Sequence, residues 1–166
     1  MKTLHALAAA ALAALALTAT AVQAQQPAVI FDMGGKFDKS FNEAAYRGVE
    51  RWKAETGKNY LEFEISNDTQ RAQAIRRMAE RGASPIISVG FAQASALQQV
   101  AKDFPKTKFV IIDEKVNLPN VQAVVFKEHE GSFLIGALAA LTSKSGKVGF
   151  VGGDRKSTRL NSSHGY

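Results

Sequence analysis

No cysteine occurs anywhere in the 166 residues. Disulfides are therefore excluded, and so is a lipidated cysteine behind an export signal. The nucleotide-phosphate signatures are missing too: no GxGxxG follows the first predicted strand, and no GxxxxGKS/T occurs. His, Asp and Glu show no metal-ligand spacing, and no nucleophile set converges with a carboxylate, so catalysis finds little support and no cofactor is expected. Internal repeats are absent. The Ala/Leu run over 7–17 is too short and too weakly apolar to span a bilayer. Basic residues never gather in a cluster of five or more. The formal charge is +6; without Lys2, and without Arg155, Lys156 and Arg159 set against Asp154, the body over 25–153 keeps +3. The basic balance is thus no evidence for nucleic acid or a membrane surface.

What is present begins with an export signal over 1–24. Lys2 is its charged start, 7–17 its apolar core, and Val22-Gln23-Ala24 a small-x-small cleavage site. An exported, unlipidated chain belongs in the periplasm of a Gram-negative bacterium, with no stable membrane insertion after cleavage. The other end, 154–164, DRKSTRLNSSH, continues no apolar pattern. It reads as the translation of a common short-read sequencing adapter, and 154–166 is set aside from the fold as non-biological.

Between these ends, apolar runs alternate with helical patterns. Strands are predicted over 28–31, 60–66, 85–89, 109–112, 121–126 and 147–151, and helices over 40–56, 69–81, 92–104 and 128–143. Ser40 with Glu43 forms a capping box at the first helix. That helix carries Ala44, Ala45, Val49 and Trp52 at helical spacing; the next turns Ala72, Ile75, Met78 and Ala79 inward. Strand–helix alternation predicts a doubly wound α/β fold, a parallel sheet covered on both faces. Right-handed crossovers favour the order 2-1-3-4-5.

Ligands of an open α/β sheet sit at the carboxyl ends of its strands. The candidate residues are therefore Asp32 after the first strand, Phe41 and Asn42 at the start of the first helix, Gly90 and Phe91 after the third strand, and Asp113 after the fourth. Asp32 either contacts ligand or accepts N–H groups of its own loop. Asp38 shapes the turn into the helix. Phe41 either stacks on a ligand or staples the domain; a base on an aromatic ring is worth about 1–3 kcal/mol. Asn42 offers a donor and an acceptor. Gly90-Phe91 permits close backbone approach or is an ordinary turn. Asp32 and Asp113 together invite an acid/base reading. His129 fits a solvated or capping role.

Three stretches together carry a family likeness: FDMGGKFDKSFNEAAYRG (31–48), SPIISVGFAQASALQQVAKDFPKTKFVIID (84–113) and NVQAVVFKEHEGSFLIGALAALTSKSGKVGFVGG (120–153). The chain resembles the basic membrane protein family of periplasmic solute-binding proteins, the nucleoside-binding components of ABC importers. The resemblance implies a type I periplasmic-binding-protein fold, with two α/β lobes closing on ligand about a hinge. It also implies a purine nucleoside or similar small molecule as ligand and an inner-membrane ABC permease as partner. Asp32, Phe41, Asn42 and Asp113 match first-lobe positions that hold the nucleoside, the aromatic on the base. On this reading 25–127 is the first lobe, with the hinge near 126–127. Residues 128–153 are then the first helix and strand of a truncated second lobe, whose missing part carries ribose contacts and a second aromatic. The competing readings are a periplasmic hydrolase using Asp32 and Asp113, and a periplasmic ligand sensor.

Overall fold

The computed structural model describes residues 25–150. The export signal read over 1–24 and the polar tail over 154–166 lie outside the described residues. Those described fall into two units, one ending at Val125 and the other beginning at Phe126.

The first unit is built as β1 (Ala28–Phe31), α1 (Phe41–Thr56), β2 (Leu61–Glu64), α2 (Gln70–Glu80), β3 (Ile86–Val89), a 3-10 turn (Phe91–Gln93), α3 (Ala94–Asp103), β4 (Phe109–Ile112) and β5 (Val121–Val124). The five strands form one parallel sheet in the order β2-β1-β3-β4-β5, as the alternation of elements predicts. All four residues of β1 are buried, because this strand lies inside the sheet with helices on its faces. The period of two divides the core. Ala28, Ile30, Ile86, Phe109 and Ile111 face α2 and α3, meeting Ile75, Met78, Leu97 and Val100. Val29, Phe31 and Val89 turn to the other side, against Ala45, Tyr46 and Val49 of α1. Asn120 ties this frame together, its amide donating to the carbonyls of Ala101, Phe104 and Thr107 at the end of α3.

Some details differ from the sequence reading. Ala44 is exposed and Ala72 only half-buried; Arg71 and Ala74 are buried in α2 beside Ile75. Ser40 makes no side-chain cap. Asp38 caps α1 in its place: its Oδ1 accepts the N–H groups of Ser40 (2.8 Å) and Glu43 (3.1 Å), and its Oδ2 that of Asn42 (3.1 Å). The Glu43 carboxylate, expected to reach back to Ser40, pairs with Arg47 one turn on. The carboxylate two residues before Ser40 bonds several orphan N–H groups at once, which one hydroxyl cannot do.

The second unit holds α4 (Glu128–Thr142). The strand read from 147 to 151 is not formed over 147–150; a strand needs a neighbour to take its backbone bonds, and none pairs there among the described residues. No described helix is long and apolar enough to cross a membrane.

Candidate ligand-binding site

Parallel register decides which residues emerge together. Ile30 pairs with Ser88 and Val89 with Ile112, so β1, β3 and β4 end level with one another. The next residue of each is Asp32, Gly90 and Asp113. Three sequence-distant positions thereby share one edge of the sheet. Gly90 has φ +100°, a conformation L side chains rarely adopt, and a β-carbon there would stand 3.0 Å from Asp32 Oδ2. Its N–H donates to the Ile112 carbonyl at 3.2 Å. Asp113 has φ +74° without being glycine, a conformation costing about 1–2 kcal/mol. The surrounding sheet holds it there: its N–H donates to the Val124 carbonyl at 2.8 Å. Phe41 and Phe91 are partly exposed, at 39% and 36%.

Asn42 has a different situation from the rim residues. It is 3% exposed, and its amide is engaged on both sides. Oδ1 accepts the Asp32 N–H at 3.0 Å, while Nδ2 donates to the Asp32 carbonyl at 3.3 Å and to Asp38 Oδ2 at 3.2 Å. The donor and acceptor expected to meet a ligand are thus turned inward, clasping the end of β1 to the start of α1. Phe41, the preceding residue, opens α1 and is 39% exposed.

The loop over 32–39 is fastened from its outer side as well. The Lys36 N–H donates to Glu64 Oε2 at 2.9 Å, and its ammonium pairs with Glu62 at 5.6 and 5.4 Å from the rings of Phe37 and Tyr46. The hydrogen bond to Glu62 raises the Lys36 pKa above the ordinary lysine value.

Two residues that the sequence reading passed over complete the frame. Arg71, buried, reaches Asp32 Oδ1 at 2.7 Å with Nη2 and pairs with Asp68 through Nη1. Burial works against its charge, but the two carboxylates outweigh it and raise its pKa. One signal for it was available: Arg71 stands at helical spacing from Ile75 and Met78, on the inner face of α2. Gln93, fully buried, donates to the carbonyls of Ile30 (3.0 Å) and Val89 (2.8 Å), pinning the 3-10 turn to the ends of β1 and β3.

No cluster of His, Cys, Asp or Glu among the described residues could hold a metal ion. A cavity of about 850 Å³ lies elsewhere, on the α1 face: it is lined by Val29, Val49, Trp52, Ile87 and Ile112, with none of the six candidate residues in its wall. The candidate site is instead an open rim of carboxylates, glycine backbone and aromatic faces.

An open parallel sheet with polar residues at its carboxyl edge is a frame on which small ligands bind. Residues 25–166 match the Bmp family, described as ABC transporter substrate-binding protein PnrA-like, and the chain belongs to that family. It is 29% identical over 144 residues to the ABC transporter nucleoside-binding protein BmpA of Lactococcus lactis, covering 84% of this chain and 41% of that protein. It is 35% identical over 136 residues to the CD4+ T-cell-stimulating antigen of Listeria monocytogenes, covering 76% and 37%. A solved ABC transporter solute-binding protein from Aeropyrum pernix superposes with a TM-score of 0.65 at 28% identity, over 70% of this chain and 32% of that one. The chain thus spans about two fifths of the length of these curated relatives.

Proposed function

We propose that this chain is the ligand-capturing first lobe of a periplasmic substrate-binding protein, one that delivers a purine nucleoside or similar flat polar molecule to an inner-membrane ABC permease. The observation that carries the reading is the level ending of β1, β3 and β4, which puts Asp32, Gly90 and Asp113 on one rim. Asn42 is clasped to the end of β1, and Phe41 is its neighbour in sequence at the start of α1. Phe41 and Phe91 supply stacking surface; Asp32 and Asp113 supply acceptors for hydroxyl or ring N–H donors; Gly90 lets a ligand approach the backbone. The nucleoside-binding name of the Lactococcus lactis relative supports the ligand class.

The function proposed is capture without chemistry. Asp32 is committed through Oδ1 to Arg71 and to the Met33 N–H, a poor arrangement for a general base. That disfavours the hydrolase reading. With an open rim the chain carries half a site, and affinity in a two-lobe protein comes from closure. Calorimetry with inosine, guanosine and adenosine tests this. The chain is expected to bind far more weakly than a full-length relative, with no turnover. Equally tight binding would refute the half-site reading, and release of free base would bring back the hydrolase.

A further inference from the structure

We propose that Arg71 is a positioning residue, which fixes the Asp32 carboxylate in one orientation before ligand arrives. This rests on the reading of Asp32 as a ligand contact. The placement of Arg71 is unusual in two ways. It lies in the first turn of α2, where the helix macrodipole disfavours a cation. Its side chain is only 7% exposed, although Arg is seldom buried without partners. Its Nε is buried with no hydrogen-bond partner among the described residues. A guanidinium tolerates such a site only if anions dictate its position. Here two do: Asp68, three residues back, and Asp32, thirty-nine residues back at the end of β1.

The consequence falls on Asp32. Its Oδ1 takes Arg71 Nη2 at 2.7 Å and the Met33 N–H at 2.9 Å. Two donors on one oxygen anchor its position and so hold the side chain in one rotamer. Oδ2 is left against Gly90, where the missing side chain keeps the space open. The acceptor offered to the crevice is therefore held from behind, and the ligand does not have to order it. Asp68 and Asp32 share one cation, so losing Arg71 removes from Asp32 one of its two donors and its counter-charge.

Two variants separate positioning from general fastening of α2. R71M cuts both ion pairs, whereas D68N cuts the Asp68 pair and leaves Arg71 on Asp32. The Asp32 χ1 populations are read from three-bond couplings in the isotope-labelled chain, and each variant is then titrated with inosine by chemical shift. The wild type and D68N are expected to hold Asp32 in one rotamer and to bind inosine within about twofold of each other. R71M is expected to average the rotamers and to weaken binding roughly tenfold or more. If R71M does not fold, R71K serves: a lysine lacks the fork that spans both carboxylates, so partial averaging is expected. A single Asp32 rotamer in the folded arginine variant, or equal averaging in D68N, overturns the proposal. Averaging in R71M with inosine affinity unchanged upholds the positioning of Asp32 and defeats its reading as a ligand contact; averaging in R71M with no nucleoside binding to any variant upholds the positioning and defeats the nucleoside reading instead.

Discussion

A methyl group added at Gly90 meets two obstacles at once. The φ of +100° is strained for any L side chain, and the new β-carbon presses on Asp32 Oδ2 at 3.0 Å. Gly57 makes a fair control: its φ is +69°, but nothing lies within 4 Å of its β-carbon position. We expect Gly57→Ala to cost about 1 kcal/mol, the backbone term alone. Gly90→Ala should cost more, about 2–3 kcal/mol once the crowding is added, and should turn the carboxylate. Urea unfolding of the two variants checks this; equal losses would show that the Asp32 contact carries no weight. Asp32, Gly90 and Asp113 were legible in the sequence because each follows a short apolar run. Arg71 was not, because its partner is thirty-nine residues away, and pattern reports which face a residue occupies, not what it touches. Asn42 was legible as a residue of the helix start, but its inward turn depends on the Asp32 backbone and the Asp38 carboxylate.

The first helix shows what sequence reading gives at the level of an element. Its extent, Phe41–Thr56, and its stop at Gly57 follow from spacing and from a left-handed glycine. Its cap does not, because serine and aspartate are both good caps and only the loop path selects between them. Burial pushes the Asp38 carboxyl upward, yet the hydrogen bonds from Ser40, Glu43 and Asn42 prevail and hold it below the usual carboxylate value. A carboxyl depressed in the folded state stabilises it fully above the ordinary carboxyl range, and that contribution is lost as pH falls below it. Asp38→Ala is expected to cost about 1 kcal/mol at neutral pH. Asp38→Asn retains capping but not charge, so the margin of the wild type over it should narrow as the pH drops through the carboxyl range. Thermal unfolding from pH 7 to 3 measures this. A margin that widens on acidification would mean the carboxylate is strained there instead of stabilised.

Across the whole chain, sheet order was the most legible feature. Alternating elements and right-handed crossovers leave few parallel topologies, and the order β2-β1-β3-β4-β5 is one of them. The failure over 147–150 has the opposite cause: an apolar run specifies a strand only if another strand is there to pair with it. Apolar surface follows the same logic. On α4, Phe133, Leu134, Ile135, Leu138 and Leu141 are between 57% and 86% exposed, a concentration that soluble domains ordinarily cover. The first unit exposes its own apolar groove, about 850 Å³ lined by Val29, Val49, Trp52, Ile87 and Ile112. The two surfaces compete as the source of any stickiness, and a cut after Val125 separates them. Residues 25–125 contain the complete five-stranded sheet and are expected to keep a cooperative thermal transition. If α4 dominates, that shorter chain binds less than half as much of an apolar fluorescent dye as residues 25–166 and stays monomeric at higher concentration. Undiminished dye binding would place the sticky surface in the groove beside Trp52, and a Trp52→Lys substitution there should then abolish it.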